Sequence, residues 1–401
     1  MILAKIRADL LQVGEAVPFD VYNSSGRLLL RRGHVVDTEQ QLERLVQIGM
    51  YDPDSNEGKT VRGRRESGRV VHEFSRLPSQ LARQRVSIFQ RLTDAAHALD
   101  DARALESPET GFESAIRSIA TAIRECCTLD SDAALAFLML SEPLRYSLRH
   151  STGVAILASI LLARIQHDPG RADSAVAGAL TMNFPIFDLQ DTLCRQQEPL
   201  TEDQRTALRL HPIESAKLLR RRSVEDPIWL QTVEQHHEAR DGSGYPAGLK
   251  EPAISREAQV VSLADRYCVL VSTRAYRPAL PPRQAIKELH DRAAKAIEPG
   301  LIGALIAAVG LFPPGAYVRL ANRETAIVVR RLLDPKHPVV YALHQDTTAP
   351  YESPKKRLTA SHRDYEIVAD VKPETVRAKI DPDTLWPPSA VGDAPTDAAP
   401  T

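Results

Sequence analysis

His236 and His237, followed at once by Glu238 and then by Asp241-Gly242-Ser243-Gly244-Tyr245-Pro246, are the residues of this chain best suited to metal chemistry. Neutral imidazole is the commonest side-chain ligand for iron, zinc and manganese. An ion held this way can polarise a phosphoryl oxygen and generate hydroxide from water near neutral pH. Spacing alone leaves a second reading open, an ordinary pair of surface histidines at a helix end. Gly242 and Gly244 allow positive φ and close approach of backbone, Pro246 stiffens the exit, and Tyr245 can stack on a base or pack against the protein.

The run HHEARDGSGYPAGL resembles the signature of the HD-GYP proteins, the bacterial branch of the HD superfamily that hydrolyses cyclic di-GMP. In that family HHE-x-x-DGSGYP-x-GL is nearly a fixed string. Other motifs follow in family order. His150-Ser151 resembles the early His-Ser on a helix, and His211-Pro212 resembles the middle His-Pro. Asp265, in VVSLADRYCVLVSTRAYR, resembles the late metal aspartate, with Arg274 and Arg277 in the place of the basic pair that holds ligand phosphates. The resemblance spans roughly residues 115–310. It implies a mainly α fold: an HD-type helical bundle with a small α/β N-terminal module and a short β-rich C-terminal cap.

Counting back from Leu200-Thr201, the family's His-Asp pair falls on Met182-Asn183, and its lysine falls on Ile186. A bridging carboxylate lets one ion activate water while another neutralises the phosphate. Asn183 offers only a neutral carbonyl, and the Met182 thioether is a soft ligand suited to copper(I). Ile186 can neither clamp charge nor give a proton to the leaving group. Tyr146 stands where trinuclear members carry Glu, which argues against a third ion. His167-Asp168 precedes Pro169-Gly170 in a loop and is out of register.

His150, His211, His236, His237 and Asp265 survive. Three or four of them around one Fe, Mn or Zn ion make a plausible mononuclear site. The alternative is that no metal is held and hydrogen bonds satisfy them. An Arg274/Arg277 pair three apart would present both guanidinium groups on one helix face to a phosphodiester. The resemblance therefore implies a degenerate HD-GYP protein in bacterial cyclic di-GMP signalling. It would bind cyclic di-GMP or a signalling protein such as a diguanylate cyclase, with hydrolysis lost or weak. The alternative is an active metal-dependent cyclic di-GMP phosphodiesterase with a reduced metal set.

Several elements must position these groups. After His150, the apolar Val154, Leu157, Leu161 and Ile165 recur at helical spacing and predict one buried face. Residues 1–51 predict a small module of hairpin strands and a helix over Thr38 to Ile48. Residues 52–80, with the cluster Arg62-Gly63-Arg64-Arg65, predict a flexible linker. The helical domain runs over 81–310, a β-rich extension over 311–385 after Pro313-Pro314-Gly315, and a disordered tail over 386–401. The chain has 401 residues, 43% of them hydrophobic and 26% charged, with a net charge of −1, so nothing favours a nucleic-acid polymer as partner. Cys126, Cys127, Cys194 and Cys268 lack CxxC spacing and fit a reducing cytoplasm. No apolar run reaches the ~18 residues of a membrane span.

Overall fold

The computed structural model describes residues 85–390, apart from 106–110, 142–143, 294–295 and 347–348, together with scattered residues of 1–51. The whole of 52–80, most of the Thr38–Ile48 segment and 391–401 lie outside the described residues. The chain divides into two units, Met1–Ser75 and Arg76–Thr401. In the first, strands β1 (Ala4–Lys5), β2 (Val21–Tyr22), β3 (Leu28–Leu30) and β4 (Met50–Tyr51) form one sheet in the order β1-β4-β2-β3. Its core gathers Leu11, Val17, Phe19, Val21, Val36 and Leu45, with Phe19 stacked on Tyr51 at 4.6 Å.

In the second unit a short strand, β5 (Arg85–Val86), leads into helices α1 (Ile88–Arg103), α2 (Phe112–Leu129), α3 (Ser131–Leu140) and α4 (Tyr146–Arg164). Every residue of α4 from His150 to Leu162 is buried, so this helix is enclosed on all sides rather than on one face. Small residues make that enclosure workable: Ser151, Gly153, Ala155 and Ala158 let neighbouring helices approach closely, and a helix without a polar face belongs inside. Then follow α5 (Pro169–Thr181), a 3₁₀ turn over Phe184–Ile186, α6 (Phe187–Arg195), α7 (Glu202–Arg221), α8 (Pro227–Gln235), α9 (Arg256–Leu270), α10 (Pro282–Ala293) and α11 (Pro299–Val309). Helix α7 starts on a reciprocal cap in which the Thr201 hydroxyl accepts from the Gln204 N–H while the Gln204 side chain accepts from the Thr201 N–H.

The β-rich part is an antiparallel sheet of β6 (Tyr317–Leu320), β7 (Glu324–Arg330), β8 (Val339–Gln345), β9 (Lys355–Leu358) and β10 (Ile367–Asp370), ordered β10-β6-β7-β8-β9. Alternation along β7 splits its side chains. Ile327 and Val329 join the helical core, and Ala326 and Val328 join a second core on the other face. Arg330 pairs with Asp130 and Arg331 with Asp132, tying the sheet to the start of α3.

The expected disordered tail from residue 386 is corrected at its start. Trp386 is 1% exposed, donates its indole N–H to the Val329 carbonyl at 3.0 Å, and packs on Phe89 at 5.6 Å. A last strand, β11 (Ser389–Ala390), pairs with β5. A large aromatic with a satisfied donor outweighs the polar composition around it. Among the described residues no helix is long and apolar enough to cross a membrane, and all four cysteines are free.

Candidate metal centre

The His-Pro dipeptide of α7 has a mechanical role. Pro212 sits inside the helix and has no N–H, so the Leu208 carbonyl four residues earlier loses its helical partner. The His211 Nδ1–H fills that place, donating to the Leu208 carbonyl at 2.7 Å. His236 caps α8, where the last carbonyls of a helix also lack partners, and its Nδ1–H donates to the Val233 carbonyl at 2.7 Å. A carbonyl only accepts, so in both rings the hydrogen is on Nδ1 and the Nε2 lone pair is free.

Those two Nε2 atoms face each other at 3.1 Å. Burial pushes the His211 imidazole down to about 3, and the charge His236 would carry adds to the effect. Burial likewise lowers His236, and it holds His237 well below the ordinary histidine value. All three rings are therefore neutral near pH 7, and two neutral Nε2 lone pairs cannot hydrogen-bond to each other. A cation resolves the clash, because two donors about 2.1 Å from one ion can stand that far apart. His237 completes the group: ligand atoms of His211, His236 and His237 all lie within 4.8 Å of one another. Carbonyl-anchored imidazoles are how proteins orient metal ligands.

His150 and Asp265 take a different arrangement. They bond to each other, Nε2 to Oδ1 at 2.8 Å, with Asp265 6% exposed. Burial alone would raise the Asp265 carboxyl, but the His150 hydrogen bond and nearby imidazoles outweigh it and hold the group below the usual carboxylate range. Tyr146 stacks on His150 with ring centroids 5.5 Å apart, and its hydroxyl accepts from Arg274, whose guanidinium lies 5.0 Å over the Tyr146 ring. The five residues from which three or four ligands of one ion were expected thus form a three-imidazole cluster and a separate ion pair that is part of its own chain of contacts.

The segment at 182–186 is hydrophobic packing. Met182, Phe184, Ile186 and Phe187 are all buried, and Phe184 meets Phe187 and Phe112 edge-on. Ser215, one turn beyond His211 on α7, donates to the Met182 carbonyl. The apolar turn therefore rests on the very helix that carries His211.

Glu238 stands next to the imidazole cluster and yet belongs to the loop. Its carboxylate accepts from the Ala247 N–H at 2.7 Å and the Leu249 N–H at 2.8 Å, closing the Gly-Tyr-Pro loop on itself. Gly242 uses the left-handed region, φ +82°, whereas Gly244 is needed for space: a Cβ there would come within 2.4 Å of the Ala239 nitrogen. Tyr245 stacks on His237 with centroids 4.6 Å apart, so it covers one ring of the cluster. Asp241 accepts from the Ser243 amide and hydroxyl.

The expectation for Arg274 and Arg277 is corrected. Helix α9 ends at Leu270, and the two arginines face each other across a tight turn, each N–H donating to the other's carbonyl. Arg274 donates to the Tyr146 and Tyr276 hydroxyls, Arg277 donates to the Val269 carbonyl at 2.8 Å, and both Nε atoms are buried. A cavity of about 360 Å³ opens instead beside His237, Asp265, Arg266, Val269, Leu270, Glu288 and Leu289. Arg266 had no motif to mark it; its place directly after Asp265 was the one available signal.

Residues 188–301 match the family described as HD domain. That stretch of the chain is therefore similar to HD domains. The match takes in His211, His236, His237 and Asp265 and begins just after the apolar turn. The chain is 26% identical to a cyclic di-GMP phosphodiesterase of Pseudomonas aeruginosa over 226 residues, 55% of this chain and 54% of that protein. It is 30% identical to a cyclic di-GMP phosphodiesterase response regulator of Xanthomonas campestris pv. campestris over 135 residues, 32% of this chain and 35% of that one. The chain thus spans about half or less of the length of these curated relatives. An HDGYP protein from Bdellovibrio bacteriovorus superposes with a TM-score of 0.49 at 20% identity, covering 76% of this chain and 98% of that one.

Proposed function

We propose that this chain is a degenerate HD-GYP protein of bacterial cyclic di-GMP signalling, one that binds the dinucleotide and hydrolyses it weakly or not at all. The observation that carries this reading is the buried three-imidazole cluster standing against a helix whose next turn is packed by Met182–Ile186. His211, His236 and His237 would hold one Fe, Mn or Zn ion, which when bound supplies Lewis acidity toward a phosphoryl oxygen. The Oδ1 of Asp265 is committed to His150, which leaves at most Oδ2 for an ion and so works against a carboxylate bridge between two. Ile186 and Phe187 keep water from that flank and offer no proton to a leaving oxygen. The curated relatives named as cyclic di-GMP phosphodiesterases support the choice of ligand.

The cluster itself favours a second reading, an active phosphodiesterase working with a reduced metal set. Metal analysis and a turnover assay on the purified full chain separate the two. At most one transition-metal ion per chain and little or no turnover are expected, with cyclic di-GMP binding retained at sub-millimolar ligand. Met182→His, Asn183→Asp and Ile186→Lys together should then recover some hydrolysis. Two tightly held ions lost on His236→Ala, or robust turnover abolished by His237→Ala, would replace the first reading with the second. Absence of ligand binding would favour a protein partner, such as a diguanylate cyclase, on the Gly-Tyr-Pro loop that Glu238 holds rigid.

A further inference from the structure

We propose that Arg266 and Arg209 are the guanidinium groups that hold a ligand's phosphodiester beside the imidazole cluster, in place of Arg274 and Arg277. The inference rests on the cyclic dinucleotide reading above and deepens it. Arg266 lines the cavity of about 360 Å³ together with His237 and Asp265. Arg209 comes from α7, two residues before His211, and is exposed. Arg266 lies on α9 directly after Asp265, and Arg209 lies on α7, the helix that carries His211.

Both groups are uncommitted. Among the described residues neither Arg266 nor Arg209 has a hydrogen-bond or ion-pair partner. The carboxylates nearby are already occupied: Asp265 by His150, Asp241 by Ser243, and Glu288 by a contact of its own. An unpaired guanidinium beside a cavity whose carboxylates are engaged is an anion site, since its planar fork matches two phosphate oxygens at once. Arg274 and Arg277 are partly committed, Arg274 to the Tyr146 and Tyr276 hydroxyls and Arg277 to the Val269 carbonyl, and the Nε atoms they leave without a partner are buried where a ligand does not reach them.

The rest of the cavity says which phosphate. Val269, Leu270 and Leu289 give it an apolar wall. That wall gains nothing from inorganic phosphate and gains burial from a nucleobase. The site should therefore prefer a phosphodiester carrying bases, a cyclic dinucleotide above free phosphate.

Calorimetry on the full chain with cyclic di-GMP, and with inorganic phosphate as control, tests this. Arg266→Ala should weaken cyclic di-GMP binding by on the order of 10–100-fold, Arg209→Ala by less, and each should flatten the salt dependence of binding. Metal content and thermal unfolding of Arg266→Ala and Arg266→Gln should match wild type, which excludes a loss acting through His237 or through folding. Arg274→Ala should lower thermal stability and leave binding within about threefold of wild type. Wild-type binding that survives Arg266→Ala and Arg209→Ala together and is lost in Arg274→Ala overturns this inference alone. Inorganic phosphate binding as tightly as the dinucleotide overturns the role of the apolar wall. No cyclic di-GMP binding by the wild type overturns the parent reading and this inference with it.

Discussion

The His211–His236–His237 cluster and the His150–Asp265 pair are built from the same kinds of buried side chain and balance their charge in opposite ways. In the pair, a carboxylate and an imidazole meet at 2.8 Å and Tyr146 and Arg274 extend the chain of contacts. In the cluster, backbone carbonyls take the Nδ1 hydrogens of His211 and His236, and two lone pairs are left facing each other at 3.1 Å. Two unpartnered lone pairs that meet at one point make a place for an ion, whereas the Nδ1 of His150, also buried without a partner, belongs to a ring already held by Asp265. The difference comes from where each histidine lies. His211 and His236 sit where a proline or a helix end frees a carbonyl, whereas His150 lies inside an unbroken helix and must look outward for a partner.

The largest effect that would break this comparison concerns metal affinity. His211→Ala or His236→Ala should reduce it by more than the roughly 10–100-fold that changes in outer partners cost. Plasma emission analysis of dialysed protein reads the result, and unchanged metal content would dissolve the distinction.

His150→Ala should act on the other side. It leaves Asp265 buried and unpaired, which costs about 3–5 kcal/mol of stability, and it should not reduce metal content. Urea unfolding alongside the same metal analysis checks both halves. A stable variant that loses its metal would instead make His150 a ligand.

Acid should separate the two regions next. The folded values of His211, His236 and His237 lie below the ordinary 6.5, so the unfolded chain takes up protons there that the folded chain does not. Stability is then fully present above about pH 6.5 and falls as pH drops, by about 2 kcal/mol for His211 at pH 5 in metal-free protein. The Asp265 carboxylate, held below its ordinary value, loses its contribution only at lower pH, beneath about 4. Thermal unfolding of chelator-treated protein between pH 7 and 5 measures the first slope, and His211→Gln should flatten it.

The smallest effect sharpens the role of the proline. Pro212→Ala returns an N–H to the Leu208 carbonyl, which then has two donors. The helix should gain up to about 3 kcal/mol while metal affinity drops about tenfold, as the His211 ring loses its fixed direction. Metal titration against a fluorescent chelator, paired with thermal unfolding, distinguishes this trade from a simple loss of fold.

Much was legible in the residues alone because it is local. The Gly-Tyr-Pro string, the His-Pro dipeptide, the apolar run after His150 and the β-branched strands after Pro313-Pro314 each encode their element in neighbouring residues. Metal-competent imidazoles and the apolar character of 182–186 could be named from types and order. Which of those side chains share an ion could not be, since His211 and His236 are brought together by the packing of α7 on α8 across 25 residues of chain. Packing also paired Asp265 with His150, tied Arg274 to Tyr146 and Arg277 to the Val269 carbonyl, put Glu238 to closing a loop, and buried Trp386 against Phe89 and Val329. Sequence determined which groups were present and the period of each element. Tertiary structure decided which of them were left without a partner, because hydrogen bonds and ion pairs between distant residues compete for the same few donors and acceptors, and only the assembled fold shows which of them win.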